Sequence, residues 1–196
     1  PGALLGFWQG AGHVRCAPGV LQPPGAMSVG ARDEVALCRQ VGAAVARGVK
    51  SLGFNWNFAP VLDLNNNVDN PVISERSFGS DPQKAAALAM AWMDGSLSEG
   101  VACCVKHFPG HGDTNVDSHR DLPTVNKSRA ELDALELAPF QMAARRHSAP
   151  APAMMTAHIV YPQLDADNPA TMSKKILTGI LRDEWVYQGV VITDVM

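Results

Sequence analysis

The sequence lacks several features, and each absence narrows what the protein is. No Cys-x-x-Cys pair occurs among its four cysteines, Cys16, Cys38, Cys103 and Cys104. They read as reduced core thiols and not as a disulfide framework, which slightly favours a cytoplasmic, reducing compartment while leaving the localisation open. Cys103 and Cys104 are adjacent in a strand-like run, so their side chains are expected on opposite faces. There is no basic stripe, and the net charge is −3, which argues against nucleic acid as a partner. Apolar runs are short and interrupted, so no membrane-spanning helix is expected. No signal peptide is visible. The chain opens on Pro1, and its natural start is expected to lie upstream. Internal repeats and low-complexity tracts are absent.

What remains is a composition of 46% hydrophobic and 18% charged residues, that of a folded chain. Its 196 residues are enough for one sizeable core. Strands are expected at 2–8, 54–60, 101–106, 153–157 and 189–194. Helices are expected at 33–50, 82–99, 128–146 and 173–185. Asp33 and Glu34 suit a helix start, Ser128 and Glu131 have capping-box spacing, and Ser173 is a candidate N-cap. Several strands are apolar throughout, so the sheet should be parallel, with helices outside. A (β/α)8 barrel and a doubly wound sheet both fit this alternation. The long polar loops all follow strands, which in a barrel gathers the chemistry at one face. Five strands and four helices fall short of a closed eight-stranded barrel. Residues 1–196 are therefore expected to be a partial α/β barrel domain, truncated at both ends.

Ionisable groups are densest in residues 106–119, KHFPGHGDTNVDSH. This stretch holds Lys106, His107, His111, Asp113, Asp117 and His119. Asp117 and His119 are two apart, and a carboxylate beside an imidazole can fix its tautomer and stabilise its protonated form. Such a pair can serve as a general acid near neutral pH. In isolation it can equally be a loop hydrogen bond. Asp194 follows the apolar run VVIT, so it should emerge at a strand's C-terminal end. That is a catalytic position in a barrel, and elsewhere a helix cap. Arg76, in the loop segment SERSFG, carries a planar fork able to grip a polar substrate or to form a surface ion pair. Lys106 and His107 end another strand.

KHFPGHG followed four residues later by Asp-Ser-His is similar to the signature of bacterial β-N-acetylglucosaminidases of glycoside hydrolase family 3. NFAPVLDLNNNVDNPVISERSFGSDP, MMTAHIVYPQLD, PATMS and GVVITDVM resemble the same family in the same order, over roughly residues 33–196. The resemblance implies a (β/α)8 barrel and a retaining, exo-acting hydrolase of terminal β-linked N-acetylglucosamine, with peptidoglycan fragments as candidate substrates. It implies Asp194 as the nucleophile, His119 as the general acid/base paired with Asp117, and Arg76, Lys106 and His107 as sugar contacts. Retaining glycosidases usually employ two carboxylates; here a histidine takes one of those roles. No metal and no cofactor are implied.

One stretch departs from the family. WQGAGHV, residues 8–14, stands where the family has a motif like DQEGGRV, so Trp8 replaces a sugar-binding Asp, Gly10 a Glu and His13 an Arg. Altered binding, a degenerate segment and a local reading-frame error all produce this pattern. Three alternatives to the β-N-acetylglucosaminidase stay open: a family 3 β-glucosidase or phosphorylase, a non-catalytic fragment with a damaged sugar site, and a metal site built on His107, His111, Asp113 and His119.

Overall fold

The structure, a computed structural model, describes residues 3–7, 24–118 and 121–195. Trp8–Val14, Cys16 and His119 lie outside the described residues. The elements, in chain order, are β1 (Gly6–Phe7), α1 (Ala26–Gly30), α2 (Val35–Ser51), β2 (Trp56–Asn57), α3 (Pro82–Ser98), β3 (Ala102–Phe108), α4 (Arg129–Ala134), α5 (Leu137–Ala144), β4 (Ala153–Thr156), α6 (Lys175–Glu184) and β5 (Val190–Thr193). Helix α6 is wound in the wider π form.

All neighbouring strands are parallel, in the order β1-β2-β3-β4-β5. This order separates the two architectures that the alternation left open. A doubly wound sheet reverses its strand order at a switch point. Here each strand adds to the same side of the one before it, as barrel strands do. The chain forms a curled arc of a (β/α)8-type barrel with its helices outside.

Two apolar regions follow from that curvature. The larger lies between the strands and the helices and includes Cys103, Val105, Phe108, Met154, Phe140 and Trp185. The smaller gathers Cys104, Ala153 and Met155 against Trp56, Phe58 and Ile192. Adjacent cysteines thus fall in different clusters, as strand alternation requires. Cys38, Cys103 and Cys104 are free and buried.

Helices α2 and α3 meet backbone to backbone. A Cβ on Gly42 would fall 2.0 Å from the Trp92 carbonyl oxygen, and one on Gly95 would fall 2.0 Å from that of Arg39. The start of α3 carries Pro82 in its first turn, and the Asp81 carboxylate accepts from the Lys84 amide at 2.8 Å. The Ser128–Glu131 capping box forms as its spacing implies. Ser173 Oγ accepts from the Ile176 amide, although α6 itself begins two residues later than expected, at Lys175.

The helix expected over 128–146 is divided into α4 and α5. Pro139 cannot donate to the carbonyl of Leu135, and its ring would strike that carbonyl in a continuous helix. Leu135 accordingly leaves helical geometry (φ −121, ψ −89). The break lets Glu136 turn inward, where it is 2% exposed. Strand β2 is shorter than the run 54–60. Pairing nevertheless continues beyond it, since the Cys104 and Lys106 amides donate to the carbonyls of Ala59 and Pro60.

Candidate active site

Chemistry-bearing side chains converge where the strands end. Asp194 follows β5 directly and is 4% exposed. Lys106 and His107 lie near the end of β3, and Asp63 and Arg76 come from the long connection after β2. Strict alternation would send Lys106 and His107 to opposite faces. The register instead shifts between Lys106 and Phe108, and such irregularities re-aim side chains. Phe108 packs outward against Phe140 and Trp185. His107 Nε2 lies 3.6 Å from Asp194 Oδ2, and the Lys106 ammonium feels the Asp194 carboxylate.

Asp63 is the centre that sequence reasoning missed. It is 1% exposed. Its carboxylate accepts from His107 Nδ1 at 2.6 Å, from the His107 amide at 3.1–3.2 Å and from the His111 amide at 2.7 Å. A carboxylate only accepts, so the proton of His107 sits on Nδ1 and Nε2 is left facing the Asp194 side. Burial pushes the Asp63 pKa up. The adjoining His107, with the bonds from His107 and His111, outweighs that and holds it below the ordinary carboxylate value. Burial brings His107 down to about 4, against the pull of Asp63. At neutral pH the pair is therefore a carboxylate beside a neutral imidazole. The signal for Asp63 was present in the sequence, because an Asp closing the apolar run NFAPVL has the same pattern as Asp194.

Arg76 draws the site together. Burial lowers its pKa, and the carboxylates of Asp63, Asp194 and Asp117 oppose that. Those carboxylates all lie within electrostatic reach of one guanidinium, which stays charged throughout the working range. Lys106 is fully buried. Burial first, and Arg76 second, bring its ammonium down to about 7, while Asp194 pulls the other way.

The connection after β3 rests on a polar floor. Asn70 Nδ2 donates to the carbonyls of His111 and Gly112 and to Thr114 Oγ1. The Tyr161 hydroxyl donates to the Gly110 carbonyl. Lys127 Nζ bridges Asp113 at 2.8 Å and the buried Glu136 at 2.5 Å, and Asn66 Nδ2 reaches Glu136 at 2.6 Å. Gly112 fits because a Cβ there would fall 1.8 Å from the Leu64 carbonyl oxygen.

Five of the six residues singled out from sequence are thus brought to one end of the sheet: Arg76, Lys106, His107, Asp117 and Asp194. The sixth, His119, lies outside the described residues. The alternative metal set also included His119. Of its described members, His107 gives Nδ1 to Asp63 and His111 gives both ring nitrogens to Thr114 and Ser118, while Asp113 pairs with Lys127.

The sequence profile described as the glycosyl hydrolase family 3 N-terminal domain matches residues 8–196. The chain belongs to glycoside hydrolase family 3. Among family relatives, "Beta-hexosaminidase A" of Pseudoalteromonas piscicida is 41% identical over 186 residues, covering 88% of this chain and 31% of the relative. A family 3 β-N-acetylglucosaminidase structure from Paenibacillus sp. str. FPU-7 superposes with a TM-score of 0.92 at 44% identity, over 97% of this chain and 36% of that one. NagZ from Neisseria gonorrhoeae, solved in complex with N-trifluoroacetyl-D-glucosamine, gives a TM-score of 0.88 at 35% identity, over 97% and 57%. This family 3 chain therefore spans well under two thirds of the length of these relatives.

Proposed function

We propose that the protein carrying this chain is a retaining, exo-acting β-N-acetylglucosaminidase, with peptidoglycan fragments as a substrate class. The observation that carries the reading is the approach of His107 to Asp194 at the strand ends, with Lys106, Arg76 and Asp117 within electrostatic reach. Relatives named β-hexosaminidase and β-N-acetylglucosaminidase support it.

In this reading a carboxylate oxygen of Asp194 attacks the anomeric carbon of the terminal sugar. The bond to the departing oxygen breaks as His119 gives that oxygen its proton, and Asp117 holds the imidazole for the transfer. A glycosyl ester on Asp194 results. His119, now neutral, takes a proton from water as the water attacks the same carbon, which frees Asp194 and restores the acid. Two inversions give net retention. Arg76 and Lys106 donate to sugar hydroxyls, and His107 Nε2 accepts from one. With Trp8 in place of the family's acidic residue, these three side chains carry the sugar recognition.

Proton NMR of the first product from an aryl β-N-acetylglucosaminide tests the reading. The β-anomer should appear first and then mutarotate. Initial α-anomer, or no hydrolysis by the full-length protein, would overturn it.

A further inference from the structure

His111 has a place in the site that the proposed mechanism does not use. It is 1% exposed, and burying a polar ring is costly unless its nitrogens are bonded. Both are: Nδ1 lies 2.7 Å from Thr114 Oγ1, and Nε2 lies 2.9 Å from Ser118 Oγ. Its amide donates to Asp63, the carboxylate that also orients His107. Its carbonyl accepts from Asn70 at 2.8 Å. The ring is therefore fixed from below, and its outer nitrogen reaches the residue between Asp117 and His119.

We propose that His111 is a positioning residue for the acid/base segment, tethering Ser118 to the floor that also sets His107. The proposal rests on the assignment of His119 and Asp117 as the acid/base pair. Asn115 and Val116 before Ser118 are exposed, whereas Asp117 and Ser118 are half-buried. The Asp121 amide donates to the Asp117 carbonyl at 3.1 Å. The bond from Ser118 to His111 joins the end of this stretch to the buried floor. It holds in either neutral tautomer. If the Thr114 hydroxyl donates to the His111 carbonyl, Nδ1–H donates to Thr114 and Nε2 accepts from Ser118. If the hydroxyl donates to Nδ1, Nε2–H donates to Ser118 instead. One carboxylate, Asp63, thus holds the His107 imidazole directly and, through His111, Ser118 next to the proposed acid/base.

A tether of this kind matters most where proton donation limits the rate. General acid catalysis contributes about 10²–10⁴-fold and is needed when the leaving group is basic; a misplacement of ~1 Å can cost about a hundredfold. The experiment uses the full-length protein and a series of aryl β-N-acetylglucosaminides spanning leaving-group basicity. Ser118→Ala, at a half-buried loop position, should lower kcat for the most basic leaving groups by about tenfold or more and spare the most activated ones, with KM little changed. Ser118→Thr, which keeps the hydroxyl, should restore the loss. His111→Gln places an amide near the Nε2 position and should retain more activity than His111→Asn, which can reach only Thr114. Ser118→Ala combined with His111→Asn should be no worse than the poorer single variant, as coupled groups behave. His119→Ala runs in parallel. A selective His119→Ala beside a uniform or absent effect of Ser118→Ala would overturn the tether alone. A His119→Ala without leaving-group selectivity would overturn the acid/base assignment, and the tether with it.

Discussion

The Asp63 carboxylate lies 2.6 Å from His107 Nδ1 and fixes which nitrogen of that imidazole faces Asp194. Asp63→Asn keeps the shape but turns an amide donor toward the N–H groups of His107 and His111. Each buried group left unsatisfied costs about 1–3 kcal/mol, so urea denaturation should show a loss in that range or somewhat above it. KM for an aryl N-acetylglucosaminide should rise at least ~10-fold, since small misplacements are costly. The sign of the pH effect follows from the lowered Asp63 pKa. Its stabilisation is complete above the ordinary carboxylate value of 3.8 and is lost as pH falls through the lower folded value. Asp63→Asn should therefore flatten the acid limb of the stability curve.

Lys106 makes a second pH-dependent prediction. Its ammonium is held down to about 7 from an ordinary 10.5. Above about 7 the native residue loses the charge that would strengthen the proposed hydrogen bonds to sugar hydroxyls. The inhibition constant of N-acetylglucosamine should weaken as pH rises through 7, and Lys106→Met should remove that inflection. For stability the direction is opposite. Between about 7 and 10.5 the unfolded chain binds a proton that the native chain does not, so the Lys106 contribution improves with pH across that window.

Asp194→Ala should abolish turnover while leaving the fold intact, because the carboxylate ends a strand and does not contribute to the apolar core. Circular dichroism and thermal melting should match the parent. A 2-fluoro or 5-fluoro glycosyl reagent should label Asp194 in the parent protein and leave the variant unlabelled. Peptide mapping that placed the label on Asp113 or Asp117 would reassign the nucleophile.

The contact between α2 and α3 predicts a stability loss far from the chemistry. Gly42→Ala and Gly95→Ala each push a methyl group into a carbonyl oxygen of the facing helix. Overpacking of this kind costs about 1–3 kcal/mol. Their effects should not add, because the two positions share one interface. Gly179→Ala is the contrast: it lies in α6 with nothing within 4 Å of its added Cβ, and it should gain up to ~1 kcal/mol from helix propensity. Chemical denaturation of the three variants checks this ordering.

Local pattern in the sequence determined the alternation of strands and helices, the Ser128–Glu131 cap and the opposed faces of Cys103 and Cys104. It also placed Asp194 at a strand end and gathered the ionisable residues of 106–119 into the end of one strand and the connection after it. These are short-range properties, set by backbone period and by the residue types that cap and turn a chain. The alternation alone left a barrel arc and a doubly wound sheet both open; the family resemblance pointed to the barrel and the strand order bears it out, because that order depends on which side of the sheet each crossover returns to. Only the tertiary structure decided that Asp63 lies beneath His107, 44 positions away, and that Glu136 turns inward at the break before Pro139 to meet Lys127. No local pattern pairs such residues. A buried charge finds its partner across the fold, since desolvation is tolerable only where a complementary group is already in place.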